Sequence, residues 1–318
     1  MPAAALPPDR RQWQAFALLG LVMLLWAGNS IVARAFRLDI PPFTLALGRW
    51  VIAAAIILPF AWGQLRRDRA ALMRSWLVVL LLGLLGIGAF NALLYTGLQH
   101  STATNALLLQ ALTPALVTVL DRVLFGTRTT LLRVLGIAAS IAGVATIVFR
   151  GDLAAAMRLA LGRADLFLLG SALVWTFYTL LLRLKPLVAG TSLVAVTFVI
   201  GIIAMAPLAA WENRQGLVVN WSGGAVAAFL YVGILPSLVS YLIYNWAAEV
   251  VGPARATQTL TLMPLFGAFL SAGLLGEALH PYHFAGMAAI VAGIALSALG
   301  SRQSAAGAGS PAPLEDRA

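Results

Sequence analysis

Asn29 and Ser30 interrupt an otherwise apolar stretch, LLWAGNSIVAR, running from Leu24 to Arg34. A polar group in hydrocarbon is costly unless paired, so such residues either line a watery cavity and bind a ligand or tie one helix to another. Asn91 and Tyr95 lie four residues apart, on one helical face, and Ser240 and Tyr244 repeat that spacing. The two tyrosines suit a pocket wall or an interfacial aromatic belt. Gln110 with Thr113, and Gln258 with Thr261, are each three apart and close to Pro114 or Pro264. A proline inside a helix removes one backbone hydrogen bond and frees a carbonyl, which makes Pro114 and Pro264 candidate kinks or gates. Trp175 and Tyr178 add aromatic faces. These side chains hydrogen-bond and stack without fixed charge, which is the chemistry of reversible recognition.

Arg49 is the exception, a strong charge within an apolar run. It can pair with a substrate carboxylate, or be held by helix-end carbonyls and snorkel to the surface. Its place less than about three turns from the end of its helix favours the structural role. Covalent chemistry has no carrier: there are no cysteines, no G-x-S-x-G elbow, no P-loop and no H-E-x-x-H pair. Glu277, His280 and His283 have three-residue spacing, but Pro281 interrupts them at a helix boundary, so neither a metal nor another cofactor is expected. The acids Asp121, Asp165, Glu249 and Glu277 all fall near predicted helix ends, which leaves no carboxylate at mid-membrane to carry a proton.

The elements that position these residues follow from composition. In 318 residues, 61% are hydrophobic and 10% charged, and the mean hydropathy is +0.92. A bilayer core about 30 Å thick needs about 20 apolar residues per helix. Ten such spans are expected, near Ala15–Ala35, Pro42–Trp62, Trp76–Gln99, Ala103–Leu120, Leu131–Phe149, Asp165–Leu184, Thr191–Trp211, Gly224–Ala247, Arg255–Gly276 and Pro281–Gly300. The fold class is all-α and polytopic. The net charge of +10 comes from 21 Lys and Arg scattered through short loops, which argues against nucleic acid. With the N-terminus inside, 14 of these lie on the cytoplasmic side and 6 opposite, so both termini are expected in the cytoplasm. The segment after Ser301 is poor in large apolar residues and is expected to be disordered.

The polar positions recur. Trp26 and Trp175, Arg34 and Arg183, Asn91 and Ser240, and Tyr95 and Tyr244 are each 149 residues apart. Pro114 and Pro264, Gly126 and Gly276, and Gly136 and Gly286 are 150 apart, as are Ala142-Gly143 and Ala292-Gly293. A colinear series of this kind indicates duplication. Five spans per copy, an odd number, make the second copy enter the membrane from the opposite side, the inverted repeat that recurs in secondary transporters. The paired glycines, seven apart in each copy, are expected to mediate close helix packing.

On these residues both copies resemble the EamA domain of the drug/metabolite transporter superfamily, over about Trp13–Gly300. The first carries WAGNS with Arg34, PPFTLALGRW at Pro41–Trp50 and ALLYTGLQHSTATNALLLQALTPAL at Ala92–Leu116. The second carries VWTFYTLLLR, LIYNWAAEVVGPARATQTLTLMPLFGAFL and LLGEALHPYHFAGMAAIVAGI. Gly276-Glu277 fits the family's Gly-Glu, whereas the first copy reads Gly126-Thr127; the resemblance includes an Arg at position 49, where the second copy has Thr197.

The resemblance implies an inner-membrane exporter of bacterial type, with no enzyme activity. Amino acids, aromatic or bulky apolar ones first, are its best specific substrates; nucleotide sugars or cationic drugs are the alternative, and a non-transporting receptor or scaffold is the reading from another class. The expected organisation is a cytoplasmic segment at 1–12, five-helix repeats at 13–149 and 164–300, a connecting loop at 150–163 and a tail at 301–318. Partners would be a small-molecule substrate and the bilayer, with the chain a monomer or homodimer. Asn29, Asn91, Tyr95, Gln110, Trp175, Tyr178, Ser240, Tyr244 and Gln258 would line a central uncharged cavity.

Overall fold

The computed structural model describes residues 10–126, 130–152, 154, 161–251 and 259–308. Among these every regular element is helical. Among the described residues seven helical stretches are long and apolar enough to cross a membrane, and three shorter apolar helices, Val134–Val148, Leu262–Leu275 and Pro281–Leu296, fall where the fifth, ninth and tenth spans are expected. The chain forms two compact units, residues 10–111 with 161–279, and residues 112–160 with 280–308 as far as these are described.

The larger unit begins with α1, Arg10–Ala35, and α2, Pro42–Arg74. Its 33 residues make α2 about 50 Å long, more than a hydrocarbon core requires. The expected loop after Trp62 is therefore helical. Beyond Gly63, QLRRDRAALMR consists largely of strong helix formers and has no proline to stop the helix. Then follow α3 (Trp76–Leu82), a π-helical segment (Gly83–Ala89), α4 (Phe90–His100) and α5 (Ala103–Gln110).

The smaller unit supplies α6, Thr113–Phe125, and α7, Leu131–Val148. The chain re-enters the larger unit with α8 (Arg163–Leu181), α9 (Gly190–Arg214), α10 (Gly223–Gly233), a second π-helical segment (Ile234–Val239), α11 (Ser240–Val251) and α12 (Leu262–Leu275). It ends in the smaller unit with α13, Pro281–Ala308. This last helix runs past Ser301, where a disordered tail is expected, because the segment after Ser301 begins with alanine-rich, helix-tolerant sequence.

In the larger unit α2 and α9 pack side by side around Trp50, Ala53, Ala54, Ile57, Phe198 and Ala195. Two carboxylates fix their relation. Glu212, near the end of α9, accepts from the backbone N–H groups of Phe43 (2.9 Å) and Thr44 (2.8 Å) and from the Thr44 hydroxyl (2.8 Å), at the start of α2. Asp68, late in α2, accepts from Ala189 N–H (3.1 Å), just before α9. The two helices are therefore antiparallel, and each has an acid at the positive end of the other's dipole. Glu212 is only 1% exposed. Its replacement by Ala is expected to cost about 3 kcal/mol, since charge-assisted bonds are lost and two N–H groups are left without their acceptor. Gln should lose less. A thermal-unfolding midpoint for Glu212→Ala equal to wild type would refute this.

Two further pairs in this unit, α1 with α11 and α4 with α8, also run antiparallel. Ala15 and Leu19 of α1 cluster with Val251 and Ala247 of α11. Gly97 of α4 leaves room for Leu168 of α8. Glu277, following α12, caps α5 as Glu212 caps α2, accepting from Ala103 N–H (2.9 Å), Thr104 N–H (3.1 Å) and the Thr104 hydroxyl (2.9 Å).

In the smaller unit α7 packs on α13 through glycines. A Cβ on Gly143 would lie 2.6 Å from the Gly286 carbonyl oxygen, and one on Gly286 would lie 2.7 Å from that of Gly143. Gly293 is equally tight against Gly136 and Ser140. The glycine pairs expected to pack helices thus do so within the chain.

Candidate functional site

Local chain chemistry prepares the site. The two π-helical segments occupy matching places in the third and eighth predicted spans. Such segments displace backbone hydrogen bonds and leave carbonyls to be satisfied otherwise. Pro236 has no N–H to give the Val232 carbonyl, and the Ser237 hydroxyl donates there instead (2.7 Å). Ser240 donates to Leu235 O (2.9 Å), and Asn91 Nδ2 to Ile87 O (3.0 Å). Trp26 Nε1 donates to Pro236 O (2.9 Å). Part of the polarity read as cavity lining therefore serves the backbone: the Ser240 donor faces its own helix, and the residue is fully buried.

Arg49 stands where these elements meet. Its Nε donates to Ser237 Oγ. Its Nη1 has three acceptors: Asn29 Oδ1 (3.0 Å), Asn91 Oδ1 (3.0 Å) and Tyr95 OH (2.9 Å). The Tyr95 hydroxyl in turn donates to Asn29 Oδ1 (2.7 Å). The guanidinium also lies over the Trp50 ring, 4.5 Å from its centroid. Four helices, α1, α2, α4 and the second π-helical segment, thus converge on one cation that is 5% exposed. Every acceptor is neutral, and among the described residues no carboxylate pairs with it; Nη2 makes no hydrogen bond to them.

This corrects two expectations. Arg49 does not snorkel; it is held inward by side chains distant in sequence. The group formed by Asn29, Asn91 and Tyr95 is not an uncharged lining but the ring of acceptors around a charge. Tyr95, 1% exposed, belongs to no interfacial belt. A guanidinium is always charged, and burying it among dipoles alone is costly. With Nη1 and Nε engaged, Nη2 is the donor left to receive an anion.

The aromatic candidates form a second group on α8 and α4. Trp175 packs against Phe90 (4.6 Å between centroids) and Tyr178 (4.8 Å). The Tyr178 ring lies so close to Gly86 that a Cβ there would collide with it. Phe90 and Asn91 are adjacent on α4, so the two groups share that helix. Tyr244 packs at a tilt against Trp26 (5.5 Å between centroids), and Tyr241 meets the same ring edge-on (6.0 Å).

Gln110 ends α5, and its Nε2 is buried without a hydrogen-bond partner. Gln258 lies outside the described residues. Pro114 falls in the first turn of α6, after the helix has broken at Ala111 and Leu112, and Pro264 in the first turn of α12, after a 3₁₀ turn at Thr259–Thr261. Pro114 thus begins a new helical segment rather than bending a continuous one, and Pro264 likewise takes a first-turn place, as suits a residue without an N–H. Gly126 (φ 65°) and Gly276 (φ 64°) then end those helices in the left-handed conformation that glycine permits.

The remaining candidates serve helix ends. Arg34 Nη1 caps α4 at Leu98 O (2.9 Å) and Gln99 O (3.0 Å), and His283 Nδ1 accepts from His280 N–H (3.0 Å) at the start of α13. Sequence reasoning missed Ser237 and Glu212. The signal for Ser237 was its place after Pro236, and for Glu212 a lone acid closing an apolar span.

The chain matches the EamA-like transporter family twice, over residues 13–149 and 162–299. A probable terminal-alkyne amino-acid exporter of Streptantibioticus cattleyicolor is 30% identical, the match covering 79% of this chain and 82% of that protein. The uncharacterized transporter YyaM of Bacillus subtilis is 24% identical, covering 80% and 83%. A protein crystal structure 20% identical in sequence shares the fold, with a TM-score of 0.60 over 92% of this chain and 99% of its own. With both copies matched and helices that suit a bilayer, this multi-pass membrane protein belongs to the EamA-like transporter family.

Proposed function

We propose that the chain exports small amphipathic carboxylates, amino acids with bulky apolar side chains first, by alternating access around Arg49. The observation that carries this reading is the buried guanidinium with neutral partners only and Nη2 unengaged. A substrate carboxylate would supply the missing negative charge, and the Trp175, Tyr178 and Phe90 rings offer the apolar side chain a wall. The relative described as an amino-acid exporter agrees with this chemistry. A cationic substrate would meet repulsion from Arg49.

In this reading ten helices form two inverted five-helix repeats with both termini cytoplasmic. Reciprocal pairing supports the inversion. The first span lies antiparallel to the eighth as the third does to the sixth, and the second and seventh spans cap one another. The two π-helical segments hold equivalent places. The fourth span, broken before Pro114, and its counterpart the ninth, with Pro264, are the segments that would move.

Purified protein in proteoliposomes tests the reading through exchange of labelled phenylalanine, leucine and tryptophan against three competitor forms: the free acid, its methyl ester and the decarboxylated amine. Saturable exchange inhibited by the acid and not by the ester or amine is expected. Equal inhibition by the amine would overturn the carboxylate assignment. Absence of saturable exchange across a broad panel of metabolites would overturn the transporter mechanism.

A further inference from the structure

The extended end of α2 carries a feature that the transport reading does not use. A cavity of about 520 Å³ opens among α2, α3 and α9. Its walls are apolar, with Leu65, Leu72, Val79, Val196 and Ile200 among them, apart from Arg66 and Arg69. Those two arginines are three residues apart on one helical face, both exposed, and neither has an acidic partner among the described residues. Arg66 lies over the Trp62 ring, 5.1 Å from its centroid, and the exposed Trp76 completes the same wall. The nearby acid, Asp68, is engaged with Ala189 N–H.

Depth gives these residues a setting. Counting about 20 residues of α2 from Pro42 brings the helix out of hydrocarbon at about Trp62. Trp62 then stands at the level where aromatic side chains gather, and Arg66 and Arg69, about one and two turns further out, at the level of lipid headgroups. Asp68 holds Ala189 at this level, so Val196 and Ile200, about 10 and 16 Å further along α9, carry the apolar wall down into hydrocarbon beneath two guanidinium groups without acidic partners, the polarity profile of a phospholipid. We infer that the cavity among α2, α3 and α9 is a binding site for one anionic phospholipid, its phosphate held by Arg66 and Arg69 and an acyl chain seated along Val196 and Ile200.

The test reconstitutes the full chain in vesicles of equal parts phosphatidylglycerol and phosphatidylcholine, extracts it in mild detergent and measures retained lipid by mass spectrometry. Phosphatidylglycerol should be retained about 10-fold over phosphatidylcholine, as two basic contacts at a membrane surface allow. The preference should vanish in the Arg66→Gln/Arg69→Gln double variant. In Val196→Trp, which fills the slot and keeps both charges, total retained lipid should fall. Three results would overturn the inference: equal retention of the two lipids, a preference unchanged in the double variant, or protection against thermal unfolding by inorganic phosphate alone equal to that by phosphatidylglycerol. The last would mean a simple anion site. The Val196→Trp protein serves should the double variant fail to fold, since loss of lipid with both arginines present isolates the acyl slot.

Discussion

Arg49→Gln is expected to lower saturable flux of a carboxylate-bearing substrate by at least about 100-fold while leaving the thermal-unfolding midpoint unchanged or raised. The flux term follows from losing a charge-assisted, desolvated contact of roughly 3 kcal/mol. The stability term has the opposite sign for a physical reason. Without substrate, the guanidinium is a buried charge surrounded by Asn29, Asn91, Tyr95 and Ser237, all neutral. Gln removes the desolvation cost and still offers an amide to those acceptors. A purely structural Arg49 would behave the other way: its loss would lower the midpoint by several degrees, and flux per folded molecule would survive. Arg49→Lys separates charge from geometry, because an ammonium cannot reach Ser237 and Nη1's acceptors with one planar fork. It should recover only part of the flux.

Gly143→Leu is expected to destabilise the smaller unit by about 3 kcal/mol or more. The added Cβ would sit 2.6 Å from the Gly286 carbonyl oxygen and 3.0 Å from the Ile290 backbone nitrogen, neither of which can swing aside as a side chain tip could. The helices α7 and α13 must separate, and the contact of Gly293 with Gly136 and Ser140 loosens with them. Gly20→Leu is the matched control. A Cβ there meets nothing within 4 Å, so the change should be neutral or stabilising through helix propensity. Thermal unfolding in detergent reads both, and a Gly143→Leu midpoint at or above that of Gly20→Leu would contradict the packing described here.

The capping acids show where sequence reading stops. Glu277 drew attention as part of a Gly-Glu pair and Glu212 drew none, yet the two make the same contacts, with two backbone N–H groups and a Thr hydroxyl at a distant helix start. Each acid's partners lie about 170 residues away in the chain. No local pattern records such a pairing.

Sequence by itself determined what depends on local composition and on repetition. Long apolar runs must become helices in a bilayer, because the backbone has no other source of hydrogen bonds there, and positions repeated at offsets of 149 and 150 expose the duplication whatever the fold. The packing role of Gly143 and Gly286 was legible for the same reason. The tertiary structure decided the meaning of the polar residues. Asn29, Asn91 and Tyr95 were visible as candidates, but their common partner Arg49 is 20, 42 and 46 residues away from them, and Ser237 is 188 residues from Arg49. A hydrogen bond depends on distance in space, and only the packing of four helices sets that distance. The same polar side chain lines a cavity, repairs a π-helix or cradles a charge according to what the fold brings within 3 Å of it.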